Sequence, residues 1–256
     1  MQANRRRFLS GLTAGAASLT APGVFAQALS ETASTTEGPF YPDRMPLDTD
    51  NDLLIVNDQI SPAVGEVTHF GGRLLSQSGD PIRNAFIEIW QTDVKGSYLH
   101  TEGRTEEGFD GNFQGYGRFL TDAQGRYYFR TIKPVEYTLQ GMYRAPHIHV
   151  AVSKSGNRVL TTQALVRGHP ANERDGIAGR LRDPAARETL MVDYLPLPGS
   201  SLGELTANFD MVLGYTAEEL EDGTIGRLAP AENAGGFGRG FGGGFGGRGR
   251  GRGRGF

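Results

Sequence analysis

Arg144-Ala145-Pro146-His147-Ile148-His149-Val150 is the stretch on which the fold turns. From His147 onward, polar and apolar residues alternate, the period of a strand with two unlike faces. Ile148 and Val150 then point to a core, and both imidazoles point to the other side. Working outward, Ala85-Phe86-Ile87-Glu88-Ile89-Trp90 alternates in the same way. Val67–Leu75, Arg126–Thr131, Leu160–Leu165 and Asn208–Leu213 have the length and composition of further strands. Gly79-Asp80-Pro81 and Lys154-Ser155-Gly156-Asn157 punctuate them as turns, and Asp122-Ala123-Gln124-Gly125 is expected to close a hairpin. Short strands at this spacing predict an all-β chain: a β-sandwich of mainly antiparallel short strands, with long loops and little helix. One helix is expected at Asp183-Pro184-Ala185-Ala186-Arg187-Glu188, with a carboxylate cap and proline in the first position.

Two imidazoles on one strand face can reach one ion. Tyr137 lies shortly before them and Tyr98 further back. Two neutral imidazoles and two phenolates form a hard, anionic donor set, better suited to a ferric ion than to zinc or copper(I). A His-x-His pair on a strand is more often a surface or structural pair, and a zinc or copper site on His147 and His149 is a further alternative. Each tyrosine alone is an ordinary strand or turn residue. There is no cysteine, so disulfides, thiolate zinc sites and cysteine nucleophiles are excluded.

Five blocks occur in a fixed order: Trp90–Tyr98, Thr121–Tyr127, Ile132–Tyr137, Arg144–His149 and Thr161-Thr162-Gln163. From about Thr35 to Gly214 the series resembles the intradiol ring-cleavage dioxygenases, the family of catechol 1,2-dioxygenase and protocatechuate 3,4-dioxygenase. The resemblance implies one non-haem Fe(III) per chain, held by Tyr98, Tyr137, His147 and His149. It implies a catechol-type substrate and O2, with the ring cleaved between its two hydroxylated carbons to a muconate-type diacid. Tyr137, in the Pro134-Val135-Glu136-Tyr137 turn, matches the labile tyrosinate that takes a substrate proton, with Tyr143 as the alternative. Arg144 matches the active-site arginine, and Gln163 a glutamine that hydrogen-bonds near the metal. His100 is expected to line the pocket at most. Thr35-Thr36-Glu37-Gly38-Pro39-Phe40-Tyr41-Pro42 resembles the family stretch at the mouth of the site. The chain lacks the long helical N-terminal region of the catechol 1,2-dioxygenase group, which puts that group's dimer in doubt; an oligomer of undefined state is expected. A non-catalytic sandwich that binds aromatic or carbohydrate polymers is the competing expectation, and colour separates the two.

Residues 1–28 are expected to be a twin-arginine export signal, with Arg5-Arg6-Arg7-Phe8-Leu9, a weakly apolar run and a small-residue cleavage site at Ala26-Gln27-Ala28. The chain would then act in the periplasm or outside the cell. Residues 29–61 form an arm, 62–230 the sandwich, and 231–256 a disordered tail rich in Gly, Arg and Phe. The net charge is −3. Without the basic leader and the Gly/Phe/Arg segment 235–256, the body (29–234) carries about −11, which argues against nucleic acid as its partner. Contact of the tail with an anionic surface is an alternative to a merely solubilising role.

Overall fold

The computed structural model describes residues 28–46, 48–56 and 61–214, together with the backbone of two short strands, Ala217–Glu219 and Ile225–Arg227. The expected leader, apart from Ala28, and the Gly/Arg/Phe tail lie outside the described residues.

Two five-stranded sheets form the body. The strands in chain order are β1 (Val67–Ser76), β2 (Phe86–Trp90), β3 (Tyr116–Leu120), β4 (Arg126–Ile132), β5 (Tyr137–Leu139), β6 (Met142–Arg144), β7 (His147–Lys154), β8 (Asn157–Val166), β9 (Met191–Val192), β10 (Tyr194–Pro196), β11 (Leu205–Asn208) and β12 (Met211–Leu213). The first sheet runs β10-β11-β1-β12, with β4 also paired to β1; the second runs β3-β2-β7-β8-β9. Most pairings are antiparallel, while β1 meets β11 and β12 in parallel, as β8 meets β9. One apolar cluster joins the sheets: Phe70 and Leu74 of β1 and Phe129 of β4 pack with Ile87 and Ile89 of β2 and Ile148, Val150 and Val152 of β7. Burying each such side chain contributes roughly 1.5–3 kcal/mol. Strand β1 changes partner midway, from β11 to β12. Gly72 sits at that crossing, where a Cβ would run into the Phe209 carbonyl.

The β7–β8 hairpin closes as expected through Ser155 and Gly156, both left-handed at φ 48° and 77°. The Asp122–Gly125 turn behaves differently. Its local chemistry is that of a tight turn, with Asp122 Oδ1 accepting from Gln124 N and Arg126 N. Yet β3 pairs with β2 and β4 with β1, so this turn is a corner between sheets rather than a hairpin. Helix α1 (Pro184–Glu188) starts under the Asp183 side chain, which accepts from Ala185 N at 2.9 Å.

Among its described residues the arm has no strand of its own, and its backbone groups bond elsewhere. Thr32 N donates to Val212 O (3.0 Å), Thr162 Oγ1 donates to Ala33 O (2.7 Å), and Thr35 N donates to Thr161 O (2.8 Å). These bonds tie the arm to β12 of the first sheet and β8 of the second, and farther on Phe40 and Tyr41 pack against Tyr98 and Trp90, over the face of the second sheet that points away from the core.

Candidate active site

Strand period places the site on that outer face. Trp90, Glu88, His147, His149 and Gln163 alternate with the core residues of β2, β7 and β8, and register sets Trp90 opposite His149 and His149 opposite Gln163. The Trp90 and His149 rings stack at 4.8 Å and 9°. Tyr98 arrives from the loop after β2. Asp93 shapes that loop, its Oδ1 accepting from Lys95 N and Ser97 N, and its Oδ2 from Asp110 N. Gly96, at φ 77°, lets the loop touch Tyr137, because a Cβ there would lie 2.9 Å from Tyr137 Cβ.

Tyr137 is not in a turn. It is the first residue of β5 and pairs with Arg144 of β6, in a two-stranded hairpin whose apex is Gln140-Gly141. Both apex residues are left-handed, at φ 51° and 75°, so the chain reverses there and not at Pro134. Tyr143 points elsewhere: its hydroxyl donates to Glu136 Oε2 and accepts from Arg174 Nη2.

Four polar ring atoms converge. Tyr98 Oη lies 3.0 Å from Tyr137 Oη, 3.0 Å from His149 Nε2 and 3.3 Å from His147 Nε2, and the two Nε2 atoms are 3.0 Å apart. All four side chains are buried. His147 donates its Nδ1–H to Ala145 O at 2.6 Å, which leaves its Nε2 lone pair aimed at the cluster. Burial, reinforced by Arg144, lowers the His147 pKa to about 3. Burial and the neighbouring His147 hold His149 well below its usual value. Burial raises the Tyr98 hydroxyl well above the ordinary phenol, with Tyr137 adding to the effect. Tyr137 is raised by burial as well, while Arg144 opposes the rise. Burial therefore disfavours the charged form of each of these donors. A metal cation held among them would supply positive charge and lower a phenol's pKa. The donor set is half phenol, and among the described residues no three His, Asp or Glu side chains cluster.

Arg144 flanks the cluster and is buried, not a surface ion pair. Its Nη2 donates to Gln163 Oε1 at 2.5 Å and its Nε to Asp175 Oδ2 at 2.9 Å. Gln163 in turn donates to Thr36 O at 3.1 Å. The arm roofs the site: Phe40 packs 5.2 Å from the Tyr98 ring, and a Cβ at Gly38 would sit 3.4 Å from His149 Cε1. Tyr41 meets the Trp90 edge and donates to Glu88, which Tyr116 and Arg158 also hold.

All six residues singled out in the sequence thus come together. The other histidines do not join them. His100 faces Phe40 at 5.9 Å, His69 bonds Tyr128, and His169 caps a single-turn helix. Sequence reasoning missed the Trp90 stack and Asp175. The period-two pairing of Trp90 with the histidine strand was a usable signal for the first. Asp175 sits in an irregular loop and carried none.

The family model described as Dioxygenase matches residues 36–214. Over 165 residues the chain is 35% identical to the protocatechuate 3,4-dioxygenase β chain of Burkholderia cepacia, a match covering 62% of this chain and 69% of that one. It is 31% identical to catechol 1,2-dioxygenase 2 of Acinetobacter lwoffii, covering 61% and 62%. The chain thus spans about two thirds or less of the length of these relatives. The solved dioxygenase domain of a dioxygenase–carbohydrate-binding protein fusion from Streptomyces sp. SirexAA-E superposes with a TM-score of 0.52 at 27% identity, over 72% of this chain and 98% of that domain. The chain belongs to the intradiol ring-cleavage dioxygenases, a family of oxidoreductases.

Proposed function

We propose that the protein is a non-haem Fe(III) intradiol dioxygenase, which inserts both atoms of O2 into a catechol-type ring and opens it between the hydroxylated carbons. The observation that supports this best is the buried convergence of Tyr98, Tyr137, His147 and His149 beside Arg144. Those four residues would hold the iron. Ferric iron would supply a Lewis acid that draws electron density from the bound catecholate and readies the ring for O2.

The protein's own groups do the rest. Tyr137 Oη, at the base of a short hairpin, receives a phenolic proton. Arg144 places a fixed positive charge where the ring becomes electron-rich. Gln163 holds one arm of that guanidinium, and its amide is itself anchored on Thr36 O. Phe40 and the arm exclude water, which strengthens each of these interactions. Export through the leader would place the reaction in the periplasm or outside the cell.

The test is an oxygen-uptake panel on purified protein with catechol, protocatechuate, hydroxyquinol and larger catechols, run beside iron analysis and visible absorbance. About one iron per chain, a broad visible charge-transfer band and ring opening without added reductant are expected. A colourless enzyme that needs ferrous iron or ascorbate would sink the reading.

A further inference from the structure

Asp175 has no exposed side-chain surface and is bonded on every side. Its Oδ1 accepts from Ile177 N (2.8 Å) and Ala178 N (2.9 Å), within its own loop. Its Oδ2 accepts from two groups about thirty residues away, Arg144 Nε (2.9 Å) and Ala145 N (2.8 Å). One carboxylate therefore grips the end of β6 by side chain and backbone together.

Two consequences meet at the site. The Arg144 guanidinium is held at Nε by Asp175 and at Nη2 by Gln163, so its plane is set from two points. The Ala145 peptide is held at its nitrogen by Asp175, while its carbonyl accepts the His147 Nδ1–H. That hydrogen bond fixes which nitrogen of His147 faces the cluster.

We propose that Asp175 is a positioning residue for ring opening, orienting Arg144 directly and His147 through the Ala145 peptide. A charge that stabilises a transition state is effective to the degree that it need not reorient during the reaction. A guanidinium tied at one nitrogen can still swing; tied at two it cannot. Asp175 also balances the buried positive charge, which would otherwise lie uncompensated. The kinetic part of this inference rests on the proposed function. The structural part rests on the hydrogen bonds alone.

The test compares Asp175→Asn, Asp175→Glu, Arg144→Ala and the double variant Arg144→Ala/Asp175→Asn in the full chain. Asparagine keeps the shape but turns an N–H2 toward groups that are themselves donors. In Asp175→Asn, kcat should fall about tenfold or more while KM moves less than about threefold. The double variant should be no slower than Arg144→Ala alone, because both changes remove one function. Asp175→Glu should recover part of the lost kcat. In metal-free protein, the Ala145 amide should exchange with solvent about tenfold or more faster in Asp175→Asn than in wild type. An unchanged kcat, or losses that multiply in the double variant, would overturn the positioning role. Unchanged exchange would overturn the grip on the Ala145 peptide. A wild-type chain that opens no catechol ring fails the functional reading by itself, and the exchange comparison still decides what Asp175 holds. Should Asp175→Asn not fold, Asp175→Ser, which also removes the carboxylate, carries the same comparison.

Discussion

The two faces of β7 are built from neighbouring residues and solve opposite problems. Ile148, Val150 and Val152 meet the other sheet, and apolar contact alone satisfies them. His147 and His149, one residue away in each case, bring polar atoms to an equally buried place. Every such atom needs a partner or costs free energy. A second sheet would offer few, since its own backbone groups are already paired. The irregular arm can offer carbonyls, as Thr36 O does for Gln163. The contrast suggests that stability resides on the face covered by strands, and chemistry on the face covered by a loop.

The largest effect should separate two adjacent residues. Ile148→Ala should cost about 2–5 kcal/mol in urea unfolding while iron per folded chain stays unchanged. His149→Ala should abolish iron retention with a smaller stability loss in the metal-free protein. If both lose stability alike, the two faces are not separable. Arg144→Ala comes next, combining a kcat loss of about a hundredfold with about 3 kcal/mol of instability from the abandoned Asp175 carboxylate. Intact kcat would return Arg144 to a structural role.

Acid unfolding sharpens the same comparison. Burial alone would raise the Asp175 pKa; Arg144 and the backbone N–H groups of Ala178, Ala145 and Ile177 reverse this and hold it below the usual value. A lowered folded pKa means that its contribution is complete above the unfolded value of about 4 and is lost as pH falls through the folded one. Asp175→Asn should therefore flatten the acid limb below about pH 4, whereas a core substitution such as Ile148→Ala should lower stability evenly across pH. Smaller again is the difference between the tyrosines. Tyr137→Phe should retain iron better than Tyr98→Phe, because Tyr98 Oη alone touches all three other donors. Higher iron occupancy in Tyr98→Phe would reverse that ranking. Removing residues 231–256 should shift neither the unfolding midpoint nor turnover on soluble catechols, and a marked drop in either would give the tail a role in the body.

Among the described residues, the strands and the α-helix were legible because their signals are local: alternation at Ala85–Trp90 and His147–Ser153, left-handed turn residues at Ser155-Gly156, a cap at Asp183. Sheet membership was not local. Asp122–Gly125 has hairpin chemistry, but packing sends its two strands to different sheets. The site was legible where its residues carry their own chemistry, as tyrosine, histidine and arginine do. Tyr137 was expected in a turn at Pro134, although Gln140-Gly141, the real reversal, was visible in the sequence. Asp175 escaped because its role is defined by the Arg144 side chain and the Ala145 N–H, about thirty residues away, which no spacing encodes.

The arm's hydrogen bonds also have a direction in time. They join residues far apart in the chain: Ser34 with Thr161 across 127 positions, Ala33 with Thr189 across 156, and Thr32 with Val212 across 180. Closing loops of that size is slow compared with zipping the β7–β8 hairpin. The core face should therefore form before its counterpart is covered, and the site should pass through an open stage before it is sealed. Pulse-labelled refolding would show this as protection of the Ile89 and Val150 amides before those of Thr32 and Thr35; arm amides protected first would reverse the order of assembly.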